Sequence, residues 1–258
     1  FYHQSTEIVA LDACGWTALG GGDLHGCAID TAGGVACWGI QDGSDSDHGQ
    51  VSDAPTGTGF SGVDGGNAFS CAVDVDNQVV CWGSDSGSQI SNIPAGEFVS
   101  VDAGYNHACA LSTAGAMACW GGGISAILDP PEGTFIGHGS GSNHHCAIDV
   151  TGAIHCWGSD TFSQISSAPN GTGYKHVVGG SKHGCAIDSQ DSIECWGSDN
   201  RGQVSGAPTG SFTALSSGSF HSCALRVTGG ISCWGEALTA QVSDTPGGEY
   251  RMLSSGRE

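Results

Sequence analysis

Basic residues are scarce in this 258-residue chain. Lys and Arg together number 6 against 26 Asp and Glu, so the formal net charge at pH 7 is −20. A phosphate backbone or an anionic lipid surface would repel such a chain, and no stripe of Lys and Arg is present to bind either one. We therefore expect no nucleic-acid partner and no membrane insertion.

Long apolar runs and common catalytic motifs are also missing. No stretch approaches the ~20 apolar residues that a membrane helix needs, and no charged-then-apolar leader precedes Phe1. We expect a processed chain that is secreted or on the cell surface. The sequence has no phosphate-binding loop, no G-x-S-x-G and no H-E-x-x-H. We therefore expect neither an enzyme nor a cofactor.

Cysteine, in contrast, is abundant and periodic. Twelve of the 13 cysteines form pairs separated by ten residues, and only Cys14 is left over. The first cysteines of the pairs recur at steps of 44, 38, 37, 39 and 38 residues, which indicates a chain built of repeats. The pairs are Cys27 and Cys37, Cys71 and Cys81, Cys109 and Cys119, Cys146 and Cys156, Cys185 and Cys195, and Cys223 and Cys233.

Each repeat has the features of a β-hairpin. Gly lies five residues before the first cysteine, Ala follows that cysteine, and the second cysteine begins Cys-Trp-Gly. If the two cysteines of a pair oppose each other, the loop has three residues and the last of them must be left-handed. Gly, Asn or Asp, which tolerate that conformation, stands at this position in every repeat. These residues are Gly33, Asn77, Gly115, Gly152, Asp191 and Gly229.

Two interpretations of the cysteines remain open. Opposed residues of a hairpin lie close enough for a disulfide, which would imply an oxidising compartment. The alternative is a metal site, because five repeats read His-x-Cys. Zinc sites favour closer cysteine spacing, and Phe69 replaces the histidine in one repeat, so we favour six disulfides. The histidines concerned are His25, His107, His144, His183 and His221.

The repeat predicts an all-β array. Each contains three or four short strands and no ten-residue stretch with helical spacing, and units of about 40 residues with four strands are typical of propeller blades. Five repeats add Gln-Val-Ser or Gln-Ile-Ser after the hairpin, with Pro five residues beyond the Gln. These glutamines are Gln50, Gln89, Gln164, Gln203 and Gln241.

The pattern G-x-x-H-x-C-A, followed by C-W-G and Gln, resembles the repeat of the regulator of chromosome condensation (RCC1) superfamily. It is clearest from Gly218 to Gly235 and from Trp196 to Gln203. The short period is similar to that of secreted bacterial propellers of the β-lactamase inhibitor protein II type. The resemblance implies a seven-bladed β-propeller in one domain, 1–258. The predicted repeats are 17–59, 60–97, 98–134, 135–173, 174–211 and 212–249.

The two ends of the chain predict the seventh blade. Residues 250–256 match the first strand of the last repeat, and residues 3–16 resemble the hairpin that should follow it. We therefore expect 250–258 and 1–16 to close the ring, which would remove an exposed strand edge. Cys14 would then be the remaining member of a seventh cysteine pair.

A binding face is predicted where the repeats differ at a constant structural position. Two residues lie between the constant Gly and the His position of each repeat, and they vary while their flanks do not. Such turns favour a binding surface, although neutral drift of exposed loops is an alternative. The predicted face consists of Asp23, Leu24, Asn67, Ala68, Tyr105, Asn106, Ser142, Asn143, Ser181, Lys182, Ser219 and Phe220.

Three local departures add further candidates. An insertion in the first repeat carries Asp42, Asp45 and Asp47, which could bind Ca²⁺ through oxygen ligands, with a solvated acidic loop as the alternative. Residues 121–128 of the third repeat lack the Gln and are apolar, which predicts either a repacked outer strand or a contact patch. Asn170 begins a weak match to the N-glycosylation motif.

Two functions are favoured as hypotheses, and two others are disfavoured. The first is a secreted, non-enzymatic protein-binding module that uses the variable turns. The second is a structural subunit of an extracellular filament, appendage or surface layer, linked by strand addition and locked by Cys14. A β-lactamase-type inhibitor is disfavoured because only Tyr105 and Phe220 of the turn residues are aromatic. An enzyme or lectin that uses the central channel is disfavoured because no convergent residues were found for it.

Overall fold

Every repeat folds into one three-stranded antiparallel sheet in the computed structural model, which describes residues 15–236 and 248–256. The predictions for Cys14, for the N-terminal hairpin and for Gln241 lie outside the described residues. The strands are β1 (Trp16–Gly21), β2 (His25–Asp30), β3 (Val35–Gly39), β4 (Gly62–Gly65), β5 (Phe69–Val73), β6 (Val79–Gly83), β7 (Phe98–Ala103), β8 (His107–Ser112), β9 (Met117–Gly121), β10 (Phe135–Ser140), β11 (His144–Asp149), β12 (Ile154–Gly158), β13 (His176–Gly179), β14 (His183–Ile187), β15 (Ile193–Gly197), β16 (Phe212–Ser217), β17 (His221–Arg226) and β18 (Ile231–Gly235).

The hairpin of each sheet has the register that the cysteine spacing predicts. In the first sheet Cys27 opposes Cys37, and the two sulfurs are bonded. The amide of Asp30 donates to the carbonyl of Gly34, which leaves a three-residue loop that ends at Gly33 with φ +81°. The other five hairpins repeat this register, with S–S bonds in all six sheets. The six loop residues predicted to be left-handed all have positive φ.

The segments after the first five hairpins do not form the fourth strand that a typical propeller blade would have. Residues 85–92 form consecutive turns, because the Asp85 carboxylate accepts the amides of Ile90 and Ser91 (2.8 and 3.1 Å). Ser88 in the same segment has φ +64°. These amides are bonded within the segment and are therefore not available to a neighbouring strand. The Asp160 and Asp199 carboxylates accept backbone amides in the same way in the corresponding segments of the fourth and fifth repeats.

In the second to sixth repeats, the tryptophan that follows the second cysteine joins its sheet to the preceding repeat. Trp82 of the second sheet donates its indole N–H to the carbonyl of Gln50 in the first repeat (3.0 Å), and both side chains are buried. In the third repeat a 3₁₀ helix, Ser125–Ile127, takes the place of the glutamine segment. The carbonyl of Ile127 accepts the Trp157 indole N–H at 3.0 Å, so the connection is kept. The apolar segment of the third repeat is therefore repacked against the next sheet.

The first strands of all six sheets line one cavity of about 240 Å³, together with residues 253–255. We call it the central cavity. The hydrophobic clusters lie farther out and combine side chains from neighbouring sheets, such as Phe69 with Val101. Three-stranded sheets that follow one another around a cavity, with their cores between neighbours, are consistent with a β-propeller.

Candidate functional site

The variable turns lie side by side and are linked from one repeat to the next. The amide of Asp23 donates to Gly66 O (3.2 Å), that of Asn67 to Tyr105 O (3.2 Å), and that of Tyr105 to Ser142 O (3.3 Å). The Asn67 amide group also donates to the Asp23 carboxylate at 2.6 Å. We call this set of six turns the turn face. The Ser142 amide likewise donates to Gly180 O (3.3 Å), so the first five turns are fixed relative to their neighbours.

The constant residues beneath the turn face explain why the turns share one shape. A Cβ added to Gly141 would fall on the imidazole ring of His144 and 2.7 Å from the carbonyl of Gly180 in the next repeat. The same close approach to a ring occurs at the corresponding glycine of every repeat, with Phe69 in place of the histidine in the second. The Gly and the ring therefore form one packing unit, above which the two variable residues are placed.

Exposure differs among the twelve residues of the predicted face. Asp23 and Ser142 are buried, Tyr105 and Asn143 are exposed, and the other eight are partly buried. The turns lie next to one another, but fewer side chains are available to a partner than the sequence pattern predicts.

Loops beyond the turns contribute side chains that the sequence analysis missed. Lys182 Nζ lies 4.2 Å from the ring centroid of Phe162, and the Arg201 guanidinium lies 5.9 Å from that of Phe220. Arg201 also forms an ion pair with Glu236. Phe162 and Arg201 each lie six residues after the second cysteine of their repeat. This shared spacing is the signal that could have identified them.

The opposite end of the sheets also exposes apolar side chains. The hairpin loops and the beginnings of two first strands lie there, and we call this end the hairpin-loop face. Its exposed aliphatic side chains are 53 to 72% accessible. They belong to Val75, Val99, Ile136, Val150 and Val227. Sequence analysis did not single them out, because aliphatic residues in short loops carry no motif.

Polar side chains converge on the wall of the central cavity, contrary to the expectation of no convergent residues there. His138 Nδ1 lies 2.9 Å from Asp102 Oδ2 and 3.0 Å from His145 Nε2. The side chain of His138 is 2% exposed and that of Asp102 is 30% exposed. Burial, together with the neighbouring His138, His107 and His144, lowers the pKa of His145 well below its usual value. His145 is therefore a neutral imidazole at pH 7.

The acidic insertion forms hydrogen bonds within itself. Asp42 Oδ1 accepts the amide of Ser44 at 3.0 Å, and Asp47 Oδ2 accepts that of Gly43 at 2.9 Å. Asp42 is exposed and Asp47 is partly buried. These bonds account for the local turn, and calcium binding by Asp42, Asp45 and Asp47 stays a prediction.

Comparison with known proteins supports the RCC1-like repeat family. The family model described as the regulator of chromosome condensation (RCC1) repeat matches residues 98–123 and 212–236, which span the sheets of the third and sixth repeats. Comparison with curated proteins finds no match. The likeness to the β-lactamase inhibitor protein II type is not part of these findings.

Solved structures show the same fold over nearly the whole chain. The ectodomain of the Physcomitrella patens receptor kinase CR4 is 28% identical with a TM-score of 0.77, covering 93% of this chain and 67% of that one. The CRINKLY WD40 ectodomain of the Arabidopsis thaliana receptor kinase ACR4 is 23% identical with a TM-score of 0.74, covering 93% and 89%. Prp20p from Saccharomyces cerevisiae is 17% identical with a TM-score of 0.72, covering 92% and 76%.

Two findings bear on the location of the chain. Six disulfides and two receptor ectodomains among the similar structures suggest an extracellular location. Within 15–236 and 248–256, no helix combines the length and apolar character that a membrane crossing requires.

Proposed function

We propose that this chain is an extracellular, non-enzymatic protein-binding module whose contact surface is the turn face. The observation that carries the proposal is the contrast between constant support and variable side chains. Gly and His or Phe pack in the same way in every repeat, while the residues above them differ. A scaffold that fixes the backbone of six adjacent turns presents their side chains with little loss of conformational entropy on binding.

In the fourth to sixth repeats, loop residues next to the turn face add to the surface that a partner could contact. Phe162, Lys182, Arg201 and Phe220 form two cation–aromatic pairs there, and we call these four residues the cation–aromatic patch. Lys182 and Arg201 are two of only six Lys and Arg in a chain of net charge −20. Aromatic residues and Arg are enriched at protein interfaces. A partner that combines acidic and apolar groups would therefore bind this patch more favourably than it would bind the acidic rest of the surface.

The proposed architecture is a seven-bladed propeller closed within one chain. Contacts of the C-terminal segment with both neighbouring sheets support it. The Ser255 amide donates to Ser216 Oγ of the sixth sheet at 2.7 Å. A Cβ added to Gly21 of the first sheet would lie 2.6 Å from Ser255 O. These contacts support the proposal that residues 253–255 take the position of a seventh first strand.

A filament subunit would instead receive the remaining strands of this blade from the N-terminal segment of a neighbouring chain, so the oligomeric state distinguishes it from the binding module. The turn face itself offers few aromatic side chains, which disfavours an inhibitor of the β-lactamase inhibitor protein II type. A second candidate contact surface is the hairpin-loop face, and the five exposed aliphatic side chains on it favour that alternative.

The test compares two faces of the same molecule. The chain is immobilised as wild type, as a turn-face variant (Tyr105→Ala, Lys182→Ala, Phe220→Ala) and as a hairpin-loop variant (Val75→Ser, Val150→Ser, Val227→Ser). Extracellular and cell-surface proteins of the source organism are passed over each, and bound proteins are quantified by mass spectrometry. We expect a protein that wild type and the hairpin-loop variant retain and the turn-face variant loses. If only the hairpin-loop variant fails to retain the protein, the contact surface is the hairpin-loop face instead.

A further inference from the structure

One loop position after each hairpin differs from repeat to repeat, and in the fourth repeat it is an asparagine. The position follows the proline of the repeat and precedes a glycine in all six repeats. Polar, acidic and small residues all occur there, so the fold does not require Asn at this point. The six residues are Thr56, Ala95, Glu132, Asn170, Thr209 and Gly247.

Asn170 begins the sequence Asn-Gly-Thr, which matches the acceptor motif for N-linked glycosylation. It is the only one of the seven asparagines that has Ser or Thr two residues later. A three-residue motif carries weight only in a suitable setting, which is a surface loop of an extracellular protein. Whether Asn170 is an acceptor therefore depends on its exposure and on its surroundings.

The loop around Asn170 meets this requirement. Asn170 and Thr172 are exposed, and neither belongs to a strand. Within the described part of the chain, neither side chain forms a hydrogen bond with another residue. Gly171 lies between them, and a Cβ added to it would lie 3.5 Å from Cε2 of the buried Tyr174 ring. The amide group of Asn170 and the hydroxyl of Thr172 are thus both open to a modifying enzyme.

The position of this loop determines where a glycan would lie. The amide of Gly173 donates to Thr151 O at 3.2 Å, in the hairpin loop of the fourth repeat. Val150 of the same hairpin loop is 63% exposed. Three residues of chain span at most about 11 Å, so Asn170 lies close to this hairpin loop. A glycan on Asn170 would therefore lie at the end of the sheets that carries the hairpin-loop face.

We propose that Asn170 is an N-glycosylation site and that its glycan covers the hairpin-loop face around Val150. Glycans are bulky and hydrated, so one at this point would shield exposed aliphatic side chains from association with other molecules. The turn face lies at the opposite end of the sheets and would stay open to a partner. The inference rests on the extracellular location in the proposed function and does not depend on which protein the turn face binds.

The modification exchanges one bond for another without oxidation or reduction. Its donor is an oligosaccharide carried on a lipid pyrophosphate, and its catalyst is an oligosaccharyltransferase. Asn170 Nδ2 forms a bond to the anomeric carbon of the first sugar, while the bond from that carbon to the pyrophosphate oxygen breaks. The amide group loses one proton to solvent, and the lipid pyrophosphate leaves. Thr172 supplies the hydroxyl that the motif requires.

The first repeat contains the same loop without the motif. Residues 54–60 and 168–174 are identical except at the third position, Thr or Asn, and at the last, Phe or Tyr. The amide of Gly59 donates to Ala32 O at 3.3 Å, which is the same contact with a hairpin loop. The third residue of each loop is exposed. The two loops therefore form a matched pair in which only one has an acceptor.

The experiment is peptide mapping by mass spectrometry of the full chain, isolated from the extracellular fraction of the source organism. Insect cells that secrete the wild type and its variants supply the comparison. Peptide-N-glycosidase in heavy-oxygen water converts a glycosylated Asn to a labelled Asp. An exposed Asn-Gly pair also converts to Asp spontaneously, and a parallel incubation without the enzyme measures that background. We expect an intact glycopeptide at Asn170 and enzyme-dependent labelling of the same residue.

The matched loops provide the variants. Asn170→Thr copies the first repeat, and Thr172→Ala keeps the asparagine but removes the hydroxyl, so each should abolish the glycan. Thr56→Asn combined with Asn170→Thr should move the glycan to the first repeat. The control is Thr56→Ala, which gives the first repeat the residue of the second at this position. It should leave the glycan on Asn170 as in the wild type.

The shielding of the hairpin-loop face has its own readout. Release of the glycan from the folded chain should increase the binding of an apolar fluorescent dye, and unchanged dye binding would contradict shielding. The site itself is overturned if the chain from the source organism carries no glycan on Asn170, whether or not insect cells add one, or if folded Asn170→Thr keeps its glycan. None of these results bears on the turn face, whose retention of a partner is measured separately.

Discussion

At the scale of single residues, the constant glycine before each histidine is required by packing. We predict that Gly141→Ala destabilises the protein by about 2–4 kcal/mol, because its Cβ would overlap His144 and crowd the carbonyl of Gly180. Chemical denaturation under oxidising conditions measures the change. Gly137→Ala is the control: nothing lies within 4 Å of its Cβ, and two other repeats have Ala there. Equal losses in the two variants would refute the packing argument.

The buried histidines predict acid sensitivity. Burial lowers the pKa of His25 and His221 to about 4 and that of His183 to about 3. In the unfolded chain these imidazoles take up protons near pH 6.5, before the folded chain does. Their contribution to stability is therefore complete above pH 6.5 and is lost as the pH falls toward 4.

A double variant isolates one of these histidines. His25 Nε2 lies 2.7 Å from Ser70 Oγ in the next sheet, whereas the second repeat has Phe69 and its neighbour has Ala108 at the equivalent positions. His25→Phe with Ser70→Ala copies that natural pair. We expect the slope of unfolding free energy against pH between 4 and 6.5 to fall by up to about 1.4 kcal/mol per pH unit. An unchanged slope would show that burial does not lower the pKa of His25.

At the scale of elements, the hairpins could be predicted in detail and the segments after them could not. Opposed cysteines ten residues apart, with Gly, Asn or Asp at the left-handed position, allow one register. The Gln-Ile-Ser segment of the second repeat alternates like a strand, but the Asp85 carboxylate caps its amides and Ser88 takes a left-handed conformation. Side chain to backbone bonds of this kind compete with strand pairing, and a short apolar pattern does not reveal which prevails.

Each disulfide closes a hairpin that is already local. We predict that replacing Cys185 and Cys195 by Ala lowers the unfolding free energy by at most about 2.7 kcal/mol, the chain-entropy value for a ten-residue loop. Denaturation of the double variant, compared with wild type, checks this limit. The same change at Cys109 and Cys119 should have a similar effect, because the spacing and register are the same. A much larger loss at one pair would mean that its bond also holds neighbouring sheets together.

At the scale of the whole molecule, the sequence repeats predict the architecture but not the polar side chains that meet at the wall of the cavity. The cysteine period indicates repeated sheets, and the constant Gly, His and Trp indicate how neighbours pack. Asp102 and His138 lie in different repeats, 36 residues apart, and meet only because the first strands surround one cavity. The available signal was the replacement of an aliphatic residue by His138. A substitution at a position that is otherwise constant within the chain is as informative as the variation of the turns.

Closure by the C-terminal segment gives the prediction for the whole molecule. Residues 253–255 contact the sixth sheet through Ser216 and the first sheet through Gly21. Removing 250–258 would expose the surfaces of the first and sixth sheets that this segment now contacts. We expect the full chain to be a monomer of 25.9 kDa and the shortened chain to associate and to unfold at lower temperature. Light scattering and thermal unfolding measure the two effects.

Two controls decide between closure within one chain and exchange between chains. Removal of 257–258 alone should change neither the oligomeric state nor the thermal stability, because the contacts of 253–256 are kept. A peptide with the sequence of 248–258, added to the shortened chain, should restore the monomer by supplying the missing strand. If the full chain is instead an oligomer that reductant releases, strands are shared between molecules and Cys14 joins them. The filament hypothesis would then replace the monomeric binding module.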